Sequence, residues 1–215
     1  KETELMQLRV MKQLDADHPM DIAITFMGAH ATPAEWKGKE DEFIDFNIEE
    51  RFPIVADEKL AEFIDIFTEK NVFEIEQSRR YVLAEVGCIS ADHLLQASDE
   101  GIKSMAESGV VATLLPLTAF SLRENYARGR EMIDNNCIVA LATDINPGSS
   151  FTSSVPLLFA LACIHMRLSP EEAVTAFTIN SAAAIGRADK IGSIDVGKQA
   201  DMVLLQFPSY KFLPY

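Results

Sequence analysis

The stretch Ile138-Val139-Ala140-Leu141-Ala142-Thr143-Asp144-Ile145-Asn146-Pro147-Gly148-Ser149-Ser150 decides the fold. It opens as a nearly unbroken apolar run, the pattern of a strand buried on both faces in a parallel α/β sheet. The run ends on an acid, and Asn-Pro-Gly then turns the chain. In α/β folds, ligands and catalytic groups gather beyond the carboxyl ends of the strands. Asp144 is therefore a candidate metal ligand or proton acceptor, because a bare acid ending a buried strand incurs desolvation with no return. A plainer reading stays open beside it, in which Asp144 caps the Ser149 and Ser150 amides and starts the next helix.

Working outward, strands and helices alternate. Leu5, Leu8, Met11 and Leu14 recur at helical spacing, His18-Pro19 stops that helix, and Asp21 to Gly28 reads as an apolar strand. A helix between Asp41 and Leu60 leads to a strand at Phe63 to Phe67. Next come a strand from Cys88 to Leu94, a helix from Ser98 to Glu107 capped by Ser98, and a strand from Val110 to Leu115. A helix around Tyr126 to Asn135 precedes the strand ending at Asp144, and helices at Val155 to Met166 and Pro170 to Phe177 follow. This alternation predicts an α/β fold with right-handed crossovers. About five parallel strands fall short of the eight that close a (β/α)8 barrel, so the sheet is open or part of a barrel. The tail changes character: Gly192 to Asp201 and Met202 to Phe207 read as short strands of a small separate β element.

Composition narrows the class. A hydrophobic content of 48% with mean hydropathy +0.05 belongs to a compact, enzyme-like protein. The 33 acids against 19 Lys and Arg give a net charge of -14, which disfavours nucleic acid and anionic membrane surfaces as partners. Cys88, Cys137 and Cys163 lie apart within apolar runs and read as small buried hydrophobes in a reducing compartment, hence a cytoplasmic protein. The sequence shows no charged-then-apolar leader and no apolar stretch of membrane-spanning length. It begins with Lys1, already in helical rhythm, which points to further residues upstream.

Candidate chemistry lies where strands end. Gly28-Ala29-His30-Ala31 and Ala91-Asp92-His93 close two of the strands, so two imidazoles and the Asp144 carboxylate are expected on a common face. Such side chains bind a divalent metal, shuttle protons or orient a planar polar substrate. Plainer alternatives are a loop position for His30 and a backbone-bonded core position for His93. His18 and His165 read as structural. Glu69 is either another acid at a strand mouth or part of a solvated Glu69-Lys70-Asn71 loop, and Asp92 reads as a cap toward the Ser98 helix.

The run Thr25 to Ala31, the segment Ser90 to Leu94, the segment Leu141 to Ser149 and the tail Gly192 to Asp201 together resemble the imidazolonepropionase family of metal-dependent amidohydrolases. The Asp-x-Asn-Pro-Gly-Ser segment is the most specific part of the match. The resemblance implies an incomplete TIM-type (β/α)8 barrel over residues 1–191, with 192–215 belonging to a small composite β-sandwich. It implies one divalent Zn or Fe ion, with Asp144 as metal ligand and handler of the water proton, and His93 polarising the carbonyl under attack. His30, His93, Asn146, Gly148 and Ser149 would contact the substrate. Backbone N–H groups beside the helix start would suit an anionic carboxylate. The implied reaction is hydrolysis of the ring amide of 4-imidazolone-5-propanoate to N-formimidoyl-L-glutamate, with a small molecule as the partner and room left for a homodimer.

Two departures stand out. The family's His-x-His pair falls upstream of Lys1, and its strand ending in His-Ala-Asp-Glu falls between positions that are adjacent here, near Leu83 and Ala84. The 215 residues are accordingly read as part of a longer polypeptide with roughly one βα unit left out, the alternative being a true truncation that cannot turn over substrate. Two other readings stand beside the hydrolase: a non-catalytic α/β binding module, and an amidohydrolase acting on another cyclic amide.

Overall fold

The computed structural model describes residues 2–69, 72–83 and 88–215. The chain divides into two compact units, Lys1–Gly87 and Cys88–Tyr215, whereas the sequence pattern places a boundary between 191 and 192. The expected junction near Leu83 and Ala84 runs into residues 84–87, outside the described ones.

In the first unit, helix α1 (Glu2–Asp17) is followed by strand β1 (Thr25–Ala29). Of the apolar stripe on α1, Leu8 is buried while Leu14, near the helix end, is exposed. The expected long helix is three pieces: α2 (Glu40–Phe46), a wide π-type turn (Asn47–Arg51) and α3 (Phe52–Asp57). Pro53 in the first turn of α3 lacks the N–H an unbroken helix needs, so the ladder changes pitch just before it. Buried Asn47 serves this turn by donating to Phe43 O at 2.8 Å and accepting from Arg51 Nη1 at 3.0 Å. Strand β2 (Phe63–Ile66) pairs parallel with β1 in the register Thr25↔Phe63 and Phe26↔Ile64, and helix α4 (Ile75–Leu83) follows. Phe26, Phe43, Ile44, Phe73 and Tyr81 form the fully buried centre of this unit.

Gly28 shows how tightly that centre closes. A Cβ there would stand 2.3 Å from Phe26 Cζ and 2.7 Å from Asn47 Oδ1. Both residues are fully buried, so neither can swing clear. Gly28→Ala is expected to destabilise this unit by about 1–3 kcal/mol, read as a lower urea midpoint. Gly101→Ala, whose Cβ would meet only Ser98 Oγ at 3.5 Å inside a helix, should leave the midpoint unchanged or higher.

In the second unit, β3 (Ser90–Asp92), α5 (Asp99–Ser108), β4 (Val111–Leu114), α6 (Pro116–Leu122), α7 (Gly129–Asp134) and β5 (Val139–Leu141) succeed one another. The strands make one parallel sheet in the order β3-β4-β5, in register Ser90↔Val111 and Ala112↔Val139. Ser98 caps α5 as expected, accepting from Gly101 N at 3.1 Å, and Gly109 closes it at φ 72°. Helices α8 (Val155–Ile164) and α9 (Pro170–Thr175) follow, the latter opened by a Ser169–Glu172 capping box. A π-type turn (Ala176–Asn180) then leads into α10 (Ser181–Ala184). Asn180 Nδ2 and Ser181 Oγ donate to the carbonyls of Val139 and Leu141 at 2.8 Å each, which satisfies β5 backbone groups without another strand. Leu114, Leu117, Met132, Leu141 and Leu158 are fully buried in the core of this unit.

All five described strands pair in parallel, in sheets of two and three, and no closed barrel forms among the described residues. Two expectations need correction. The tail from Gly192 to Phe207 forms turns and extended chain but no strand, and Val203 and Leu204 stand 85% and 98% exposed. A strand exists only where another backbone supplies its ladder, and among the described residues none pairs with the tail. Of the cysteines, Cys137 is buried and Cys163 half-buried, but Cys88 is exposed and donates to Ser90 O at 2.8 Å, because β3 begins only at Ser90. Among the described residues no helix is long and apolar enough to cross a membrane.

Candidate active site

Three neighbouring strands of the second unit deliver the site. After β3 the chain enters the left-handed region at His93 (φ 66°) and Leu94 (φ 59°), and after β5 it does so again at Asp144 (φ 50°). Such conformations cost non-glycine residues of order 1 kcal/mol or more and persist where the surroundings hold them. The surroundings are visible here: His93 N donates to Thr113 O on β4 at 3.0 Å, which fixes the turn to its neighbour. His93 Nε2 then lies 3.9 Å from Asp144 Oδ2, and the same oxygen accepts from Thr118 Oγ1 at 2.5 Å. Both side chains are partly exposed, 38% for His93 and 26% for Asp144, so the pair faces solvent and a ligand can reach it.

The segment after Asp144 is built around one amide. Asn146 Nδ2 donates to Asp144 O at 2.7 Å, while Asn146 Oδ1 accepts from Gly148 N at 2.9 Å, Ser149 N at 2.8 Å and Ser149 Oγ at 3.1 Å. Asn146 N closes the turn by donating to Ser150 O at 2.8 Å. The capping role that one reading gave to Asp144 therefore belongs to Asn146, which leaves the carboxylate to the site. The amides of Gly148 and Ser149 point at Asn146, and they are not at a helix start: α8 begins at Val155, set by the Ser154 cap and Pro156. Asn146→Ala is expected to loosen the turn and Asp144 together, lowering kcat/KM by about 10- to 100-fold; steady-state kinetics check it.

His30 belongs to the first unit. Its backbone N donates to Met27 O at 3.2 Å, its ring packs on Phe67 with centroids 5.2 Å apart, and its Nε2 lies 4.0 Å from Asp65 Oδ2. Of the three groups expected at the strand mouths, the structure brings Asp144 and His93 together within one unit and gives His30 a carboxylate neighbour in the other. The Glu69 carbonyl accepts from Val72 N at 2.9 Å, and the rest of the Glu69-Lys70-Asn71 segment lies outside the described residues. Asp92 accepts from Ser90 Oγ at 3.2 Å, and the helix that follows is capped by Ser98 itself. His18 and His165 are structural as expected: His18 Nδ1 accepts from Met20 N, and His165 stacks on Tyr126 at 4.7 Å.

Sequence reasoning missed Thr118, which sits in a helix it did not foresee, α6. The available signal was Pro116 directly after the β4 run, the residue that suits a first helical turn. Buried Thr113 and Ser150 were also missed; their hydroxyls have no hydrogen-bond partner among the described residues.

No group of three or more His, Cys, Asp or Glu side chains is placed to hold a metal ion among the described residues. Asp144 and His93 make one pair, and a catalytic zinc takes three protein ligands. The described residues thus do not by themselves fit the expected Zn or Fe ion.

A profile of the Amidohydrolase family matches residues 30–213. The chain belongs to that family. Among its amidohydrolase relatives, the whole chain is 57% identical to the imidazolonepropionase of Clostridium tetani and 54% identical to that of Parabacteroides distasonis. It spans 57% and 58% of their respective lengths. The match to the Clostridium protein runs over 239 residues, 24 more than the 215 present here. Solved structures share the fold at low identity. Guanine deaminase of E. coli superposes with a TM-score of 0.59 at 15% identity, covering 92% of this chain and 48% of its own. An atrazine chlorohydrolase from Arthrobacter aurescens, complexed with zinc and atraton, gives 0.60 at 17%, covering 90% and 45%.

Proposed function

We propose that this chain is the larger part of an imidazolonepropionase, an enzyme that opens the cyclic amide of 4-imidazolone-5-propanoate to give N-formimidoyl-L-glutamate. The observation that carries the reading is the Asp144–His93 pair, 3.9 Å apart at adjacent strand mouths in a chain 57% identical along its whole length to a protein of that name.

In this reading water adds to the ring carbonyl, the carbonyl carbon–nitrogen bond breaks, and a proton passes to the departing nitrogen. Asp144 accepts the proton of the attacking water and returns it to that nitrogen, a general base and then acid. His93 directs its imidazole at the carbonyl oxygen and stabilises the charge that develops there. Asn146 and Ser149 shape the turn against which the ring lies, and Gly148 lets the substrate approach backbone with no side chain in the way. A Zn or Fe ion, the metal dependence expected of the superfamily, would have Asp144 as one ligand and would activate the attacking water. In this reading the protein works in the cytoplasm on a small-molecule substrate.

The test is loss of ring absorbance on mixing the purified, intact protein with imidazolone propionate, beside hydantoin and dihydroorotate as competing rings. Preference for either of the others would overturn the substrate assignment. A folded protein that holds no metal and consumes none of the three would favour the binding module instead.

A further inference from the structure

We propose that Thr118 is the positioning residue for Asp144, a role that rests on the hydrolytic reading above. β4 lies between β3 and β5, whose mouths carry His93 and Asp144, yet it ends at Leu114 and passes through Leu115 directly into α6. Thr118 stands in the first turn of that helix and is 3% exposed. A threonine hydroxyl in a helix commonly bonds a nearby backbone carbonyl. This one instead crosses to a residue 26 positions away and donates to Asp144 Oδ2 at 2.5 Å.

The choice of oxygen matters. His93 Nε2 faces the same Oδ2 at 3.9 Å, so two groups address one carboxylate oxygen, and Oδ1 has no hydrogen bond among the described residues. A carboxylate torsion is broad and two-fold, so an untethered Asp144 exchanges its oxygens freely. A hydroxyl held by the buried first turn of a helix and donating to a carboxylate oxygen makes a short, charge-assisted bond that selects one orientation. Asp144 sits at φ 50°, away from relaxed backbone, which makes a side-chain anchor from the neighbouring strand mouth all the more useful. Thr118 thus presents Oδ1 toward the water while His93 stays beside Oδ2.

The experiment uses Thr118→Val, which keeps the shape and removes the donor, and Thr118→Ser, which keeps the donor. In the intact protein, Thr118→Val should lower kcat about 10- to 100-fold with KM changed less than about twofold, and Thr118→Ser should recover most of the rate. A second readout needs no turnover. The carboxyl-carbon NMR resonance of Asp144, assigned by its loss in Asp144→Asn, should move in Thr118→Val and return to its place in Thr118→Ser. Wild-type rate and an unmoved resonance in Thr118→Val overturn the positioning role alone. A wild-type protein that leaves the ring intact overturns the hydrolytic reading beneath it, and the resonance then still decides whether Thr118 sets the carboxylate.

Discussion

Asp144→Asn is expected to lower kcat/KM for imidazolone propionate by about 10³- to 10⁴-fold, the upper range for removing a general base. The amide has nearly the shape of the acid, so the turn should survive: Asn146 donates to the backbone carbonyl of residue 144, which the substitution keeps. What disappears is the negative oxygen that accepts from Thr118 at 2.5 Å and faces His93 at 3.9 Å. Steady-state kinetics together with a melting curve check this, because a rate loss with an unchanged melt isolates the chemistry. Full activity in the variant would remove Asp144 from the mechanism.

Leu114→Ala should produce the largest loss of stability, about 3–5 kcal/mol. Leu114 is fully buried on β4, the middle strand of its sheet, and pairs with Leu141 on β5. Deleting its side chain leaves a void where no loop can collapse inward, since Leu117, Met132 and Leu158 share the same core. Chemical denaturation reads the loss directly. The site should suffer too: Leu114 precedes by four residues the Thr118 that holds Asp144, and its carbonyl accepts from Ala142 N at 3.3 Å just before the catalytic turn. Activity should therefore fall at temperatures where the variant is still folded.

How much of this the sequence revealed follows from how local each cause is. The strand running into Asp144 was legible because a two-sided apolar run depends only on burial, and the α5 cap because Ser98 meets an amide three residues on. The π-type turn at Asn47–Arg51 was not legible, since helical periodicity runs through it and only Asn47's buried bonds mark the change. The cap that one open reading gave to Asp144 belongs to Asn146, two residues on, as acid and amide can both accept from the amides of the turn and spacing does not say which one turns inward. The tail failed for a different reason. Ile194, Val196, Met202 and Val203 have the composition of strands, but pairing is a property of two segments, and no described segment pairs with this one.

The bond between Asn146 and Pro147 carries a last implication, for ageing. Asparagine deamidates when the next residue's backbone nitrogen attacks the side-chain carbonyl and closes a five-membered ring. Proline, having no N–H to give up, blocks that closure. The amide that organises the turn, with its oxygen shared among three donors, is thereby shielded from the slow chemical damage that an Asn-Gly turn of similar shape would invite.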